Sequence, residues 1–92
     1  MLSLDLHLPS CRSLKDKRAA VKPILVGARQ RFSVAAAEVD HQDRQQRALV
    51  AVASVASTAR HVEEVLDAVE RFVWARPDVE VLSAERTWME TD

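Results

Sequence analysis

The sequence predicts an α+β fold with elements in the order βαββαβ, and three observations carry that expectation. The first eight residues alternate, with Leu2, Leu4, Leu6 and Leu8 on one face and Ser3, Asp5 and His7 on the other, as a half-buried strand does. Two later stretches, from Ser13 to Phe32 and from Ser57 or Thr58 to Ala75, repeat apolar residues at the helical period. Two strand-like segments lie between those helices, and one follows the second. This order is the split-βαβ, or ferredoxin-like, plait. Right-handed crossovers in each βαβ half give a four-stranded antiparallel sheet in spatial order 4-1-3-2, with both helices on one face and the other face open.

Pro9, Ser10 and Cys11 form the turn after the first strand. Ser13 then serves as N-cap with Asp16 three residues on, which also sets a carboxylate at the positive end of the helix dipole. On the first helix Leu14, Val21, Leu25, Ala28 and Phe32 gather in one stripe. Pro23 removes a backbone hydrogen bond and predicts a kink near Ala19 to Pro23, or a break into two helices. Ser33 to Asp40 reads as the second strand and the wholly polar HQDRQQR as a loop. Ala48 to Ala56 is apolar on both faces, the pattern of a central strand with both sides covered. The second helix has an apolar stripe of Val62, Leu66, Val69 and Val73, edged by Val65 and Phe72, and an acidic outer face of Glu63, Asp67 and Glu70. Arg76, Pro77 and Asp78 end it, and Val79 to Trp88 is the last strand.

A chain of 92 residues is read as a single domain over 1–92, with one layer of helix on one layer of sheet. A single Cys11 excludes an internal disulfide framework and a four-Cys zinc site, and with no leader-like start the natural setting is a reducing cytoplasm. No apolar run is long enough to span a bilayer. The net charge of −1 is unevenly spread: residues 1–47 carry +4 and residues 48–92 carry −5. The open sheet face bears either Val50, Val52, Ser54 and Ala56 or Leu49, Ala51, Ala53 and Val55, too apolar for comfortable solvation. The SVAAAEV segment at the sheet edge has little charge to block pairing. Together these predict a homodimer through the sheet face, the edge, or both.

Two constellations stand out. Lys15, Arg18, Lys22 and Arg29 fall within about 60° of one another on the first helix, with Lys17 and Arg31 on the other flank. Such a ridge neutralises a nucleic-acid backbone without reading sequence. The loop region supplies Glu38, His41, Gln42, Asp43, Gln46 and Arg47 as candidate recognition groups; the plainer reading pairs Arg47 with Asp43 or Glu38. The central strands hold no Phe, Tyr or Trp, which argues against base stacking on the sheet. Trp74 and Trp88 are candidate interface anchors.

Asp5 and His7 share a strand face, yet no nucleophile, oxyanion donor or Gly-rich phosphate loop accompanies them, so no catalytic residue is assigned. His41 with Asp40 and Asp43 lacks the spacing of a preformed cage, so neither metal nor other cofactor is expected. There is no GMxCxxC metal-chaperone loop, and the chain has no Asn, which argues against an acylphosphatase-like enzyme.

The segments SLKDKRAAVKPIL, FSVAAAEVDHQDRQQRALVAVASV, HVEEVLDAVERFV and PDVEVLSAE resemble the bacterial YlxP-like family, also called domain of unknown function 503. The patterns SLKxKR (Ser13 to Arg18) and AEVxxQDxxxRA (Ala37 to Ala48) carry most of the likeness. The sequence departs from the family at Asp40, where glycine is common, at Arg44, where an apolar residue is common, and at Pro23. The resemblance implies a small cytoplasmic ferredoxin-like protein, commonly encoded beside genes for translation initiation and ribosome maturation. The resulting expectation is a non-enzymatic binding protein that meets ribosomal RNA or a ribosomal protein, an RNA–protein surface. The alternatives are a dimerisation or protein-interaction module without nucleic acid, a small-molecule-binding regulatory plait, and a hydrolase.

Overall fold

The computed structural model describes residues 1–88 of the chain; residues 89–92, the last four of the expected domain, lie outside the described residues. Six elements follow in the order β1 (Leu2–His7), α1 (Leu14–Phe32), β2 (Ala35–Asp40), β3 (Arg47–Ala53), α2 (Ala59–Trp74) and β4 (Glu80–Arg86). The sheet order is β2-β3-β1-β4, with every neighbouring pair antiparallel. This is the ferredoxin-like plait expected from the element order.

The alternation in β1 decides where the core lies. Leu2, Leu4, Leu6 and Leu8 are fully buried, and across the central ladder Leu2 pairs with Val52, Leu4 with Val50 and Leu6 with Ala48, all buried. From α1 Val21, Ile24 and Ala28 pack onto this layer, and from α2 Leu66, Val69 and Val73. Each fully buried leucine or valine of this set contributes about 1.5–3 kcal/mol of transfer free energy.

Ser13 caps α1 by accepting from the Asp16 amide at 3.0 Å, as its spacing predicts. The Asp16 carboxylate reaches back to the amide of Arg12 rather than to that of the cap itself. Pro23 does not divide the helix, which runs unbroken to Phe32. Pro23 and Ala19, whose carbonyl loses its partner, are both exposed, so water can satisfy the freed oxygen. Ser33, assigned by sequence to the second strand, instead closes the helix in a left-handed conformation (φ 54°) with its amide donating to the Arg29 carbonyl. Strand β2 therefore starts at Ala35. β3 ends at Ala53, three residues short of the apolar run, and β4 ends at Arg86.

Gly27, the one glycine, lies against Phe72 of α2. A Cβ there would lie 2.5 Å from the tip of the Phe72 ring. Phe72 also meets Phe32 edge-on at 5.8 Å. On another side of α2, Arg86 of β4 donates to Asp67 at 2.8 Å and Glu70 at 3.2 Å, so two of the three acids on the outer face are neutralised within the fold. Burial works to lower the Arg86 pKa, but the hydrogen bonds and charges of those two carboxylates outweigh it and hold the guanidinium firmly charged. No helix among the described residues is long and apolar enough to cross a membrane.

The open face carries the second of the two registers weighed from sequence: Leu49 and Ala51 are half-buried and Ala53 is exposed, while Val50 and Val52 face the helices. Ala35 opposite Ala53 and Ala37 opposite Ala51 extend this surface of small side chains onto the edge strand. Beside it on β1 the face is polar. Arg47 grips Asp5 through Nη2, at 2.8 and 2.7 Å to the two carboxylate oxygens, and His7 Nδ1 lies 3.2 Å from Glu80.

Candidate nucleic-acid interface

The helical period gives α1 its exposed cations. Lys15, Arg18, Lys22 and Arg29 are exposed along one stripe, and at about 1.5 Å of rise per residue they span about 21 Å. None of the four forms a salt bridge with a described carboxylate. Arg29 has a second attachment: its Nε and Nη2 both donate to the carbonyl of Ala36, so one carbonyl of the edge strand is already engaged by α1.

The other two cations of the sequence reading go elsewhere. Lys17, on the flank, is 1% exposed and is the one charged residue in the core among the described residues. Its position follows from the spacing Lys17, Val21, Ile24, Ala28, which is i, i+4, i+7, i+11 and defines the buried stripe of the helix. Arg31 lies beside α2, with its guanidinium 5.2 Å from the centre of the Phe72 ring in a cation–π contact. Of the six candidate cations, the four of the ridge are exposed, while of the two on the flank Lys17 is buried and Arg31 lies over the Phe72 ring.

Lys17 organises the hairpin that joins β2 to β3. An ammonium has three hydrogens, and Nζ donates to the carbonyls of His41 at 2.6 Å, Gln42 at 3.2 Å and Arg47 at 3.3 Å. Glu38 Oε2 sits 2.9 Å from the same nitrogen, buried and with no hydrogen-bond donor among the described residues, so it contributes countercharge to an ammonium whose hydrogens point at carbonyls. The backbone turns sharply at His41 (φ 62°), steadied by its amide donating to Asp40 Oδ1 at 2.7 Å. Gln46 Nε2 spans to the carbonyls of Pro9 and Cys11, and ties the hairpin to the β1–α1 turn. Cys11 beneath that turn is buried; burial, then the nearby charges of Asp16 and Asp78, push its thiol pKa up against a smaller opposing effect of Lys17.

Of the loop residues read as recognition groups, Glu38, Gln46 and Arg47 are thus used within the fold. Arg47 pairs with neither Asp43 nor Glu38, because its side chain leaves on the open face, where Asp5 of the neighbouring strand is directly in reach. Gln42 and Asp43, with Arg44 and Gln45, remain exposed at the tip, and His41 is half-buried. Trp74 and Trp88 are both exposed. Among the described residues, no three His, Cys, Asp or Glu side chains converge to hold a metal ion.

A feature absent from the sequence reading lies between α1 and β2. A groove of about 330 Å³ lies along the ridge, lined by Val21, Leu25 and Val26, by Arg18, Lys22 and Arg29 between them, and by Glu38 of β2. Its sequence signal was Leu25 at the edge of the apolar stripe and Val26 among the cations; its depth depends on how far α1 stands from β2.

The model of a family described as a protein of unknown function, DUF503, matches residues 1–86. The uncharacterized protein YlxP of Bacillus subtilis (strain 168) is 34% identical over 76 residues, which are 83% of each chain. The segments that carry the likeness in sequence are the ones the Lys17 clamp joins in space: Lys17 of the first motif contacts Glu38, His41, Gln42 and Arg47 of the second. The chain belongs to the DUF503 family.

Proposed function

We propose that this protein is a non-catalytic, cytoplasmic RNA-binding protein that acts as a homodimer in ribosome assembly or translation. One observation carries the reading: Lys15, Arg18, Lys22 and Arg29 stand exposed in a line on α1, with no carboxylate paired to them among the described residues. Cations so placed bind phosphates and release counterions. The gene neighbourhood that the family resemblance implies supports ribosomal RNA, alone or with a ribosomal protein, as the polyanion. The dimer contact is assigned to the small-residue surface of Ala35, Ala37, Ala51 and Ala53 on the open face, which leaves the ridge on the opposite, helical side accessible.

The test is size-exclusion chromatography with light scattering on protein from a native lysate, with the 260/280 nm absorbance ratio followed at low and high salt. Nucleic acid should elute with a dimer at low salt and leave at high salt. For four contacts to single-stranded RNA, log K against log salt should fall with a slope of about −3, and the double substitution Arg18→Glu, Lys22→Glu should halve it. A clean peak free of nucleic acid at both salts refutes the reading.

A further inference from the structure

We infer that the groove between α1 and β2 receives one unpaired nucleotide of the bound RNA, with its base against Val21, Leu25 and Val26 and its flanking phosphates on Arg18 and Lys22. The inference rests on the ridge binding RNA at all. Three features of the groove select the occupant together. Its rim is cationic, which favours a negatively charged ligand and repels a basic one. Its lining is apolar and, at about 330 Å³, stands at the small end of ligand pockets, the space of a single ring system rather than a helix or a long side-chain array. Its strand side carries a carboxylate, Glu38, anchored by the buried Lys17.

The carboxylate is what separates the candidates. An acidic peptide would satisfy the rim but bring its own carboxylates towards Glu38. A nucleotide keeps its charge at the phosphates, presents flat apolar faces to the lining, and directs neutral N–H donors from its base edge, which a carboxylate accepts. The exocyclic amino group of adenine, cytosine or guanine fits this acceptor, whereas uracil offers only its ring N3–H, flanked by two carbonyl oxygens that a carboxylate repels. The groove also gives the protein a means to hold a base without aromatic residues on the sheet: one base enters beside the helix while the four cations, over about 21 Å, follow the backbone. Arg29, committed to Ala36 through Nε and Nη2, fixes the groove's far end and keeps one remaining nitrogen for phosphate.

The experiment measures fluorescence anisotropy of labelled short oligoadenylate, oligouridylate and a fully paired RNA hairpin, with wild-type protein and with Val26→Glu, which places a charge in the groove and, one helical turn from Lys22, weakens the ridge for all three RNAs alike. The wild type should bind oligoadenylate about tenfold more tightly than oligouridylate or the paired hairpin, and Val26→Glu should erase that difference while it retains a salt-dependent residue of binding. Should the variant melt early, the wild-type preference among the three RNAs still decides. Equal, salt-dependent binding of all three overturns the inference and leaves the ridge reading standing. Absence of binding to any RNA at low salt overturns both. Displacement of RNA by an aspartate-rich peptide whose own binding is lost in Val26→Glu assigns the groove to a protein and also overturns the inference.

Discussion

Replacing Lys17 by Met removes the ammonium that holds the β2–β3 hairpin and leaves an aliphatic chain of similar length in the same stripe. The cost has two parts. Three carbonyls, of His41, Gln42 and Arg47, lose their donor, and Glu38 loses the cation 2.9 Å away. Removing one partner of a buried ion pair costs about 3–5 kcal/mol, because the remaining charge stays desolvated. The Glu38 side chain is 18% exposed and hairpin carbonyls can rehydrate, which places Lys17→Met at the lower end, about 3 kcal/mol. Against a total stability of about 5–15 kcal/mol this is severe, and in a chain of this size it lowers Tm by about 12–24 °C. Adding Glu38→Gln removes the stranded charge, so the double variant should recover about 2 kcal/mol of the loss. Urea or thermal unfolding followed by circular dichroism reads all three variants, and amide exchange over residues 42–46 reports whether the hairpin opens first. A loss below about 1 kcal/mol for Lys17→Met, or no recovery in the double variant, would show that the ammonium is not what secures the hairpin.

Three further outcomes follow from the same structure. Gly27→Ala gains about 1 kcal/mol of helix propensity but drives a methyl into the Phe72 ring, 2.5 Å from the new Cβ, at an overpacking cost of about 1–3 kcal/mol; a net loss near 1 kcal/mol is expected in urea unfolding, with full recovery in Gly27→Ala, Phe72→Leu. Arg47→Lys replaces a two-point grip on Asp5 by a single ammonium contact and should cost about 1 kcal/mol, read by the same unfolding assay, with Asp5→Asn costing no more in the Lys background than in wild type. Cys11, buried with its pKa raised above 9.0 by burial first, should resist iodoacetamide at pH 8 in the native protein and react promptly in urea. Because the unfolded chain gives up that proton at a lower pH than the folded one, the thiol's contribution is complete below pH 9 and stability declines as the pH rises beyond it; Cys11→Ala should flatten that decline.

The sequence by itself determined the elements, their order and most of the core, because those are set by local period. Leucine at every second residue of β1 can bury only one face, and its three leucines, with Leu8 just past it, are fully buried. Leu66, Val69 and Val73 follow one another at helical spacing and form the buried side of α2. Given the order βαββαβ, the handedness of crossovers leaves β3 and β1 in the centre. The exposed cations Lys15, Arg18, Lys22 and Arg29 were legible for the same reason, since one helix stripe fixes them relative to each other.

The tertiary structure alone decided what each charged side chain meets. Lys17 belongs by spacing to the buried stripe of Val21, Ile24 and Ala28, yet a lysine among cations reads as one more member of a basic patch until the carbonyls of a hairpin 24 to 30 residues away are brought to its nitrogen. Arg47 has acidic neighbours in its own loop and still pairs with Asp5, 42 positions away, because the strand register sends its side chain to the open face beside β1. Ser33 has no sequence mark that separates a helix cap from the first residue of a strand; its left-handed φ of 54° is imposed by the need to turn from α1 into the sheet edge. The groove was equally out of reach, because it is a distance between two elements rather than a property of either one. Periodicity acts within a few residues and can be read along the chain, whereas ion pairs and cavities depend on register and interlayer spacing, which exist only once the sheet has closed against its helices.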